Sequence, residues 1–372
     1  MKIAVTGGGS GGHVYPALAI ADKFREMDPD GEVIYIGYKN GFEKRAVPKA
    51  GYRLEEIDSR WVNRSNAKEI FLTGYHVGNG IIQSTRILKK FRPDAVIGTG
   101  GYVCFPVIFA ASRLGIPCYI HEQNAFPGLA NRRLEKYVRR IFLGFEEGGE
   151  YFTDKSKLTV TGNPVRSSFF TADKAKAREK LGYDENDFLV FSFGGSLGAE
   201  AINRLAMSLV EEMNGKEGQK LVFGTGRRFY DSVMSELDAR GIIPESNIRI
   251  TDYIDDMDSV IAASDLIISR AGALSVAEIL VTGKPSVLIP SPNVTGNHQY
   301  FNAKAVADKG GAILIEEKDI DETSFKETVR ELRADPERLA DMGRMAHEIA
   351  ARSASDIIYE EIVKDLWKKA NA

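Results

Sequence analysis

Cysteine is almost missing from this chain: Cys104 and Cys118 are the only two among 372 residues, and no CxxC spacing occurs. That excludes a disulfide framework and a structural zinc site, and fits a reducing compartment. No HExxH, no DxD at a strand end and no clustered Cys/His/Asp set is present, so neither a protein-held metal nor a cofactor is expected. Long apolar runs are lacking too. The longest uncharged stretches, such as Phe105 to Ala111, fall far short of the ~20 residues that span a bilayer. Met1-Lys2-Ile3-Ala4-Val5-Thr6-Gly7 reads as a strand entering a loop, without the apolar segment or cleavage site of a signal peptide. The expectation is a soluble protein that is still able to touch a membrane.

A strong excess of one charge is also lacking, with 49 Lys+Arg against 52 Asp+Glu. The balance hides an asymmetry: residues 1–164 hold 23 basic against 17 acidic residues, leaving 26 against 35 for the rest. So acidic a half argues against binding nucleic acid along the chain. A basic first half suits an anionic lipid surface or a phosphorylated substrate, and chance drift of surface charge is the plain alternative.

What the chain has in quantity is glycine, 36 residues clustered in a few loops. Short apolar runs end in those loops and lead into helical spacing. In the first half they are Ile3–Val5, Val33–Ile36, Ala95–Ile97, Cys118–Ile120, Arg140–Leu143 and Leu158–Val160. In the second half they are Leu189–Phe193, Leu221–Phe223, Ile248–Ile250, Leu266–Ile268, Ser286–Ile289 and Ala312–Ile315. Runs of this kind are strands buried on both faces, and their alternation with helices predicts an α/β fold. The two sets meet at Gly162-Asn163-Pro164, a turn signal, which sets expected domains at 1–164 and 165–352 with a final helix over about 353–372. The expected architecture is two Rossmann-like, doubly wound parallel-sheet domains facing across a cleft, with ligands at the carboxyl ends of the strands.

Both halves open with a strand, a glycine loop and a helix: Gly7 to Gly12, and Gly194-Gly195-Ser196-Leu197-Gly198-Ala199. Such loops bare backbone N–H groups for a phosphate. The first also matches a dinucleotide fingerprint, but that motif wants an acid closing the second strand, where Gly37-Tyr38 stands instead. In Arg270-Ala271-Gly272-Ala273-Leu274-Ser275, Ser275 and Glu278 have the spacing of a capping box. The alternative is a diphosphate meeting the helix start while Glu278 accepts ribose hydroxyls. Asp255-Asp256 reads as the cap of a helix beginning near Met257. His13 directly follows the first loop, where a general base would face a substrate; an ordinary structural histidine is the competing reading.

Taken together these motifs resemble the MurG family of bacterial glycosyltransferases, over essentially the whole chain. They are Gly7 to Pro16, Gly100-Gly101-Tyr102-Val103, His121-Glu122-Gln123-Asn124-Ala125 and Thr161 to Arg166 in the first half. In the second half they are Gly194 to Ala199, Tyr253-Ile254-Asp255-Asp256-Met257, Arg270 to Glu278, and His298-Gln299. The resemblance implies the GT-B fold and inverting transfer of N-acetylglucosamine from its uridine diphosphate (UDP-GlcNAc) to lipid I, giving lipid II at the cytoplasmic face of the membrane. It implies that Ile254 contacts uracil, Glu278 the ribose, Ser196 with Gly272, Ala273, Leu274 and Ser275 the diphosphate, and His298 and Gln299 the sugar. Ser10, Gly11, Gly12, Asn124 and Arg166 would complete the site. His13 would be the base, with His121 and Glu122 as the next candidates. Ser10 stands where many relatives have Thr, and Leu197 where Gln is common. Ile70, Phe71, Leu72, Ile81 and Ile82 beside Arg86, Lys89, Lys90 and Arg92 form an expected patch for an anionic membrane surface, with an ordinary core helix ending in solvated basic residues as the alternative; Gly74, Gly78 and Gly80 weaken the case for one continuous amphipathic helix there. The alternatives are another GT-B transferase using a UDP-sugar, and a non-catalytic dinucleotide-binding protein.

Overall fold

The structure, a computed structural model, describes residues 1–59, 67–195, 197–350 and 353–370, with side chains for all of these except 67–74, 295, 369 and 370. The chain forms two compact units, Met1–Arg166 with Arg352–Ala372, and Ser167–Ala351. The first contains β1 (Lys2–Thr6), α1 (Gly11–Met27), β2 (Glu32–Tyr38), α2 (Glu43–Lys49), β3 (Arg53–Ile57), α3 (Ala67–Phe91), β4 (Ala95–Gly98), α4 (Cys104–Arg113), β5 (Cys118–Glu122), α5 (Leu129–Leu134), β6 (Arg140–Leu143) and β7 (Leu158–Val160). The second contains α6 (Lys174–Leu181), β8 (Phe188–Phe193), α7 (Glu200–Met213), β9 (Gln219–Gly224), α8 (Tyr230–Ala239), β10 (Ile248–Thr251), α9 (Met257–Ala263), β11 (Leu266–Ser269), α10 (Ala273–Val281), β12 (Ser286–Leu288), α11 (His298–Ala307), β13 (Ala312–Leu314), α12 (Glu322–Ala334) and α13 (Pro336–Ile349). The last helix, α14 (Ala354–Ala370), belongs to the first unit.

Strand order is β3-β2-β1-β4-β5-β6-β7 in one sheet and β10-β9-β8-β11-β12-β13 in the other. Every ladder is parallel. The apolar runs explain this. Ile3 and Val5 pack with Val14, Ile20 and Phe24 of α1, while Ala4 between them packs with Val107 and Ile108 of α4. Successive side chains point to opposite faces, so a strand covered on both sides must be apolar throughout. The second sheet repeats the logic with Val190, Leu221, Leu266 and Val287 against α7, α12 and α13.

β3 had no counterpart in the expected runs. Its sequence, Arg-Leu-Glu-Glu-Ile, is polar because it is an edge strand. α3 runs as one helix through Gly74, Gly78 and Gly80, the glycines that weakened the case for continuity. α14 packs on α1, with Ile358 and Ile362 fully buried in the same cluster as Phe24. Tyr119 Oη donates to Asp365 Oδ2 at 2.6 Å and Arg139 Nη1 donates to the same oxygen at 3.0 Å. Each of the two isoleucines contributes at most about 1.5–3 kcal/mol.

Candidate active site

In both sheets the chain reverses its lateral direction between the first strand and its later neighbour, β1 with β4 and β8 with β11. Sheets of this type bind ligands outside the carboxyl ends of those strands. The loops found there are Gly7–Ser10 and Thr99–Val103 in the first unit, and Gly194–Ala199 and Arg270–Gly272 in the second.

The two loops of the first unit interlock. Gly8 N donates to Gly100 O at 3.3 Å. Gly101 has φ +81, and a Cβ there would lie 2.1 Å from Gly8 O, so only glycine permits the approach. Ser10 occupies the N-cap of α1 in extended conformation and makes no side-chain cap. Glu43 is fully buried beside this loop, with Oε1 accepting from Tyr38 N at 2.8 Å and Oε2 from Gly9 N at 3.4 Å. A pyrophosphate cradle would need that Gly9 N–H. A carboxyl group already holds it, which removes the main support for a dinucleotide reading.

His13, half-buried in the first turn of α1, sets its Nδ1 3.0 Å from Thr99 O and 3.0 Å from Gln123 Oε1. Gln123 Nε2 donates to His121 O and to His121 Nδ1, both at 3.0 Å, and His121 Nε2 faces Gly162 O at 3.0 Å. Burial lowers the His121 pKa to about 4, and the hydrogen bond to Gly162 only partly opposes this. The Glu122 carboxylate takes Asn124 N (3.0 Å) and Asn124 Nδ2 (3.2 Å) on Oε1, and Gly128 N (3.0 Å) and Asn131 Nδ2 (2.9 Å) on Oε2. His121 and Glu122 are therefore fully engaged, whereas His13 Nε2 has no partner among the described residues. Gly11 and Gly12 form the start of α1, and Arg166 is exposed at the end of the unit.

In the second unit Ser196 lies outside the described residues, and its neighbour Leu197 is 78% exposed. Gly198 has φ +78, with room for a Cβ blocked 2.1 Å away by Thr225 O. Asn203 Nδ2 donates to that same carbonyl at 3.0 Å, tying the turns after β8 and β9 together. The Ile254 side chain is buried over Gly224 at the end of β9.

α10 begins at Ala273 with Gly272 as N-cap, extended and with no side-chain cap. Ser275 is the third helical residue, so the capping-box reading fails: the helix starts earlier than that pattern requires. Glu278 follows on the first exposed turns, half-buried. Arg270 donates from Nη1 to Ile289 O and Pro290 O, each at 3.2 Å, and its Nη2 pairs with Glu317 at 2.5 Å. Asn302 Nδ2 reaches Ala271 O at 3.1 Å, and Gln299 Oε1 accepts from Ser291 N at 2.9 Å. His298 and Gln299 open α11, whose N-cap Asn297 has φ 52 and no side-chain cap.

Asp173, Asp321 and Asp335 cap α6, α12 and α13 with their side chains. The four helices that leave the reversal-point strands, α1, α4, α7 and α10, have no side-chain cap. Their first-turn N–H groups have no intrahelical acceptor and carry the positive end of the helix dipole. Asp256 also fails to cap α9, despite its N-cap position, and pairs with Arg249 at 3.7 Å.

Gln123, Thr99, Asn131 and Asn163 were not among the expected functional residues. Asn163 Nδ2 holds Gln123 O at 3.0 Å. Only the neighbourhood of His13 in three dimensions reveals them.

Two all-parallel sheets of this order, with glycine turns at both reversal points, make a GT-B-like α/β fold. The chain belongs to glycosyltransferase family 28, whose N-terminal domain matches residues 3–143 and whose C-terminal domain matches residues 189–358. It is 41% identical over 372 residues to the UDP-N-acetylglucosamine--N-acetylmuramyl-(pentapeptide) pyrophosphoryl-undecaprenol N-acetylglucosamine transferase of Acetivibrio thermocellus, covering 100% of both chains. The crystal structure of Acinetobacter baumannii MurG is similar at a TM-score of 0.75 and 26% identity, over 98% of this chain and 99% of that one. A Neisseria meningitidis UDP-GlcNAc 2-epimerase solved with UDP-GlcNAc shares the fold at a TM-score of 0.72 and 17% identity, over 98% of this chain and 100% of that one. The fold by itself thus hosts more than one reaction, and the loops must carry the choice.

Proposed function

We propose that this chain transfers N-acetylglucosamine from UDP-GlcNAc to the 4-hydroxyl of the muramoyl-pentapeptide of lipid I, giving lipid II for peptidoglycan synthesis. The observation that carries the reading is the uncapped start of α10, four residues of open backbone from Gly272 to Ser275 at a reversal point. An anion belongs there. Negative charge grows on the diphosphate as its bond to the anomeric carbon breaks, so fixed N–H dipoles stabilise the transition state more than the bound donor. Ser196 and the α7 start would assist. Glu278 takes the ribose hydroxyls, and Gln299, whose Oε1 is engaged by Ser291, offers its amide N–H groups to the sugar with His298 beside it. Because the Ile254 side chain is buried, uracil meets its backbone.

The acceptor oxygen forms the new bond to the anomeric carbon from the face opposite the diphosphate, which leaves with the bonding electron pair. The acceptor proton passes to His13 Nε2. His121 and Glu122 serve as supports, since both are already fully hydrogen-bonded. Ser10, Gly11, Gly12, Asn124 and Arg166 complete the sugar and acceptor contacts.

The first unit meets the membrane that carries lipid I, through the end of α3, where Arg86, Lys89 and Lys90 are exposed and Ile82 is 52% exposed. Ile81 instead packs against the core, and the side chains of Ile70, Phe71 and Leu72 lie outside the described residues. Among the described residues no helix is long and apolar enough to cross a membrane, which suits peripheral attachment at the cytoplasmic face. The test is incubation with radiolabelled UDP-GlcNAc and a lipid I analogue. A labelled disaccharide lipid is expected; its absence, with the protein folded and binding UDP, would overturn the assignment.

A further inference from the structure

We infer that Gln123 is a positioning residue that locks His13 in the tautomer with Nδ1 protonated, so that Nε2 carries the lone pair that receives the acceptor proton. This deepens the proposed reading of His13 and rests on it.

Three backbone carbonyls determine the direction of every bond in the chain of contacts. His13 Nδ1 faces Thr99 O at 3.0 Å, and a carbonyl can only accept, so Nδ1 bears the hydrogen. Gln123 Nε2 faces His121 O at 3.0 Å, so that end of the amide is the NH2 group and the other end is oxygen. His121 Nε2 faces Gly162 O at 3.0 Å and therefore carries the ring hydrogen, leaving Nδ1 as the acceptor for Gln123. The assignments agree at every junction: Nδ1–H of His13 meets Gln123 Oε1, and Gln123 N–H meets the lone pair of His121. Reversing Gln123 would set its oxygen against His121 O and its NH2 against the N–H of His13.

His121 can play this part because it stays neutral. Its burial lowers its pKa to about 4, so its Nδ1 lone pair remains available at neutral pH. Gln123 is itself 1% exposed, and its amide is held at both ends. The device differs from a Ser-His-Asp triad in one respect: the group behind the base is a neutral amide instead of a carboxylate. It orients the ring through a neutral contact, placing no negative charge beside the base, and the Nδ1–H is steadied by two oxygens.

Within the first unit the titratable groups on elements packed around His13 are few. Among the described residues they are Tyr15 on α1, Tyr35 on β2 at Gly7 O, Glu43 beside Gly9, Tyr102 against Gly9, Cys104 at Gly100, and His121 with Glu122 on β5. Glu122 is committed to its four N–H donors, and burial pushes the Cys104 thiol up to about 12.

The experiment combines ¹⁵N-histidine spectra of the whole protein with pH profiles of Gln123→Glu and Gln123→Leu. In the wild type, His13 should show a protonated Nδ1 and an unprotonated Nε2. Gln123→Glu places a carboxylate against Nδ1–H and should move the acid limb of kcat/KM upward by about 1–2 pH units. Gln123→Leu should lower kcat by about tenfold to a hundredfold while the KM for UDP-GlcNAc stays within about twofold, because the loss falls on the proton-transfer step. A purely structural glutamine would change stability and leave the acid limb of the Glu variant where it was; that result overturns the proposal. So does a wild-type spectrum with hydrogen on Nε2. Should the Leu variant not fold, the spectrum and the Glu profile decide alone. A His13→Ala enzyme with near-normal turnover would refute the base assignment and the catalytic part of the Gln123 role, whereas an Nε2–H ring would refute the relay with the alanine result unaffected.

Discussion

His121 should make the first unit sensitive to mild acid. The unfolded chain presents an ordinary histidine with a pKa near 6.5, whereas burial holds the folded side chain at about 4. Between these values the unfolded state binds a proton that the folded state refuses, so stability is intact above about pH 6.5 and falls as the pH drops towards 4. Moving from about pH 7.5 to about pH 5 costs about 2 kcal/mol from this one group. That is a large share of a typical 5–15 kcal/mol. Replacing His121 by Gln keeps an N–H able to reach Gly162 O but removes the titration. Urea unfolding across this pH range should give a wild-type midpoint that falls with acid more steeply than that of His121→Gln, by an amount equivalent to about 2 kcal/mol. A histidine spectrum should place the His121 transition far below that of an exposed ring. Equal pH slopes in the two proteins, or a His121 midpoint near 6.5, would refute the reasoning.

Gly101→Ala puts a Cβ 2.1 Å from Gly8 O at φ +81, so both turns must shift; a stability loss of about 1–3 kcal/mol and a marked fall in kcat are expected in thermal melts and the transferase assay. Burial alone would raise the pKa of Asp365, but hydrogen bonds from Tyr119 and Arg139 and the Arg139 charge bring it below 3.8. Its stabilisation is present above that value and fades as the pH falls through the lower folded pKa. Asp365→Ala should cost about 1–3 kcal/mol at neutral pH and speed amide exchange in α14; unchanged exchange would exclude the anchoring role. Charge reversal at Lys89 and Lys90 should weaken sedimentation with anionic vesicles at low salt, each residue being worth about 1 kcal/mol near such a surface; unchanged binding would exclude the α3 patch.

Among the described residues twelve of the thirteen strands were legible from their apolar runs; for central strands such as Leu189–Phe193 burial on both faces forces that run, whereas the edge strands β7, β10 and β13 carry one although partly exposed. β3 was not, because an edge strand with exposed flanks spells Arg-Leu-Glu-Glu-Ile, which reads as polar loop. The reversal-point loops were legible from their glycines, since close backbone approach excludes a Cβ. What the local pattern mistook was helix starts: Ser275 and Asp256 have capping chemistry at plausible positions, but neither caps in the fold. Gln123 was invisible as a positioning group, because its meaning depends on Thr99, Gly162 and His13, residues up to 110 positions away along the chain. Glu43 was hidden for the same reason.

The return of α14 to the first unit has a consequence for how the molecule is made. Residues Ser167–Ala351 are contiguous, so the second unit can complete its core as soon as they have left the ribosome. The first unit emerges earlier yet must wait: the face of its sheet bearing Ile3, Tyr119 and Phe142 is closed by Ile358 and Ile362, which follow the whole of the second unit in the chain. The half that starts first is completed only after the second unit has been made. During that interval Tyr119 lacks its carboxylate partner and the α1 flank is bare, so the nascent first unit keeps apolar surface in water until α14 arrives.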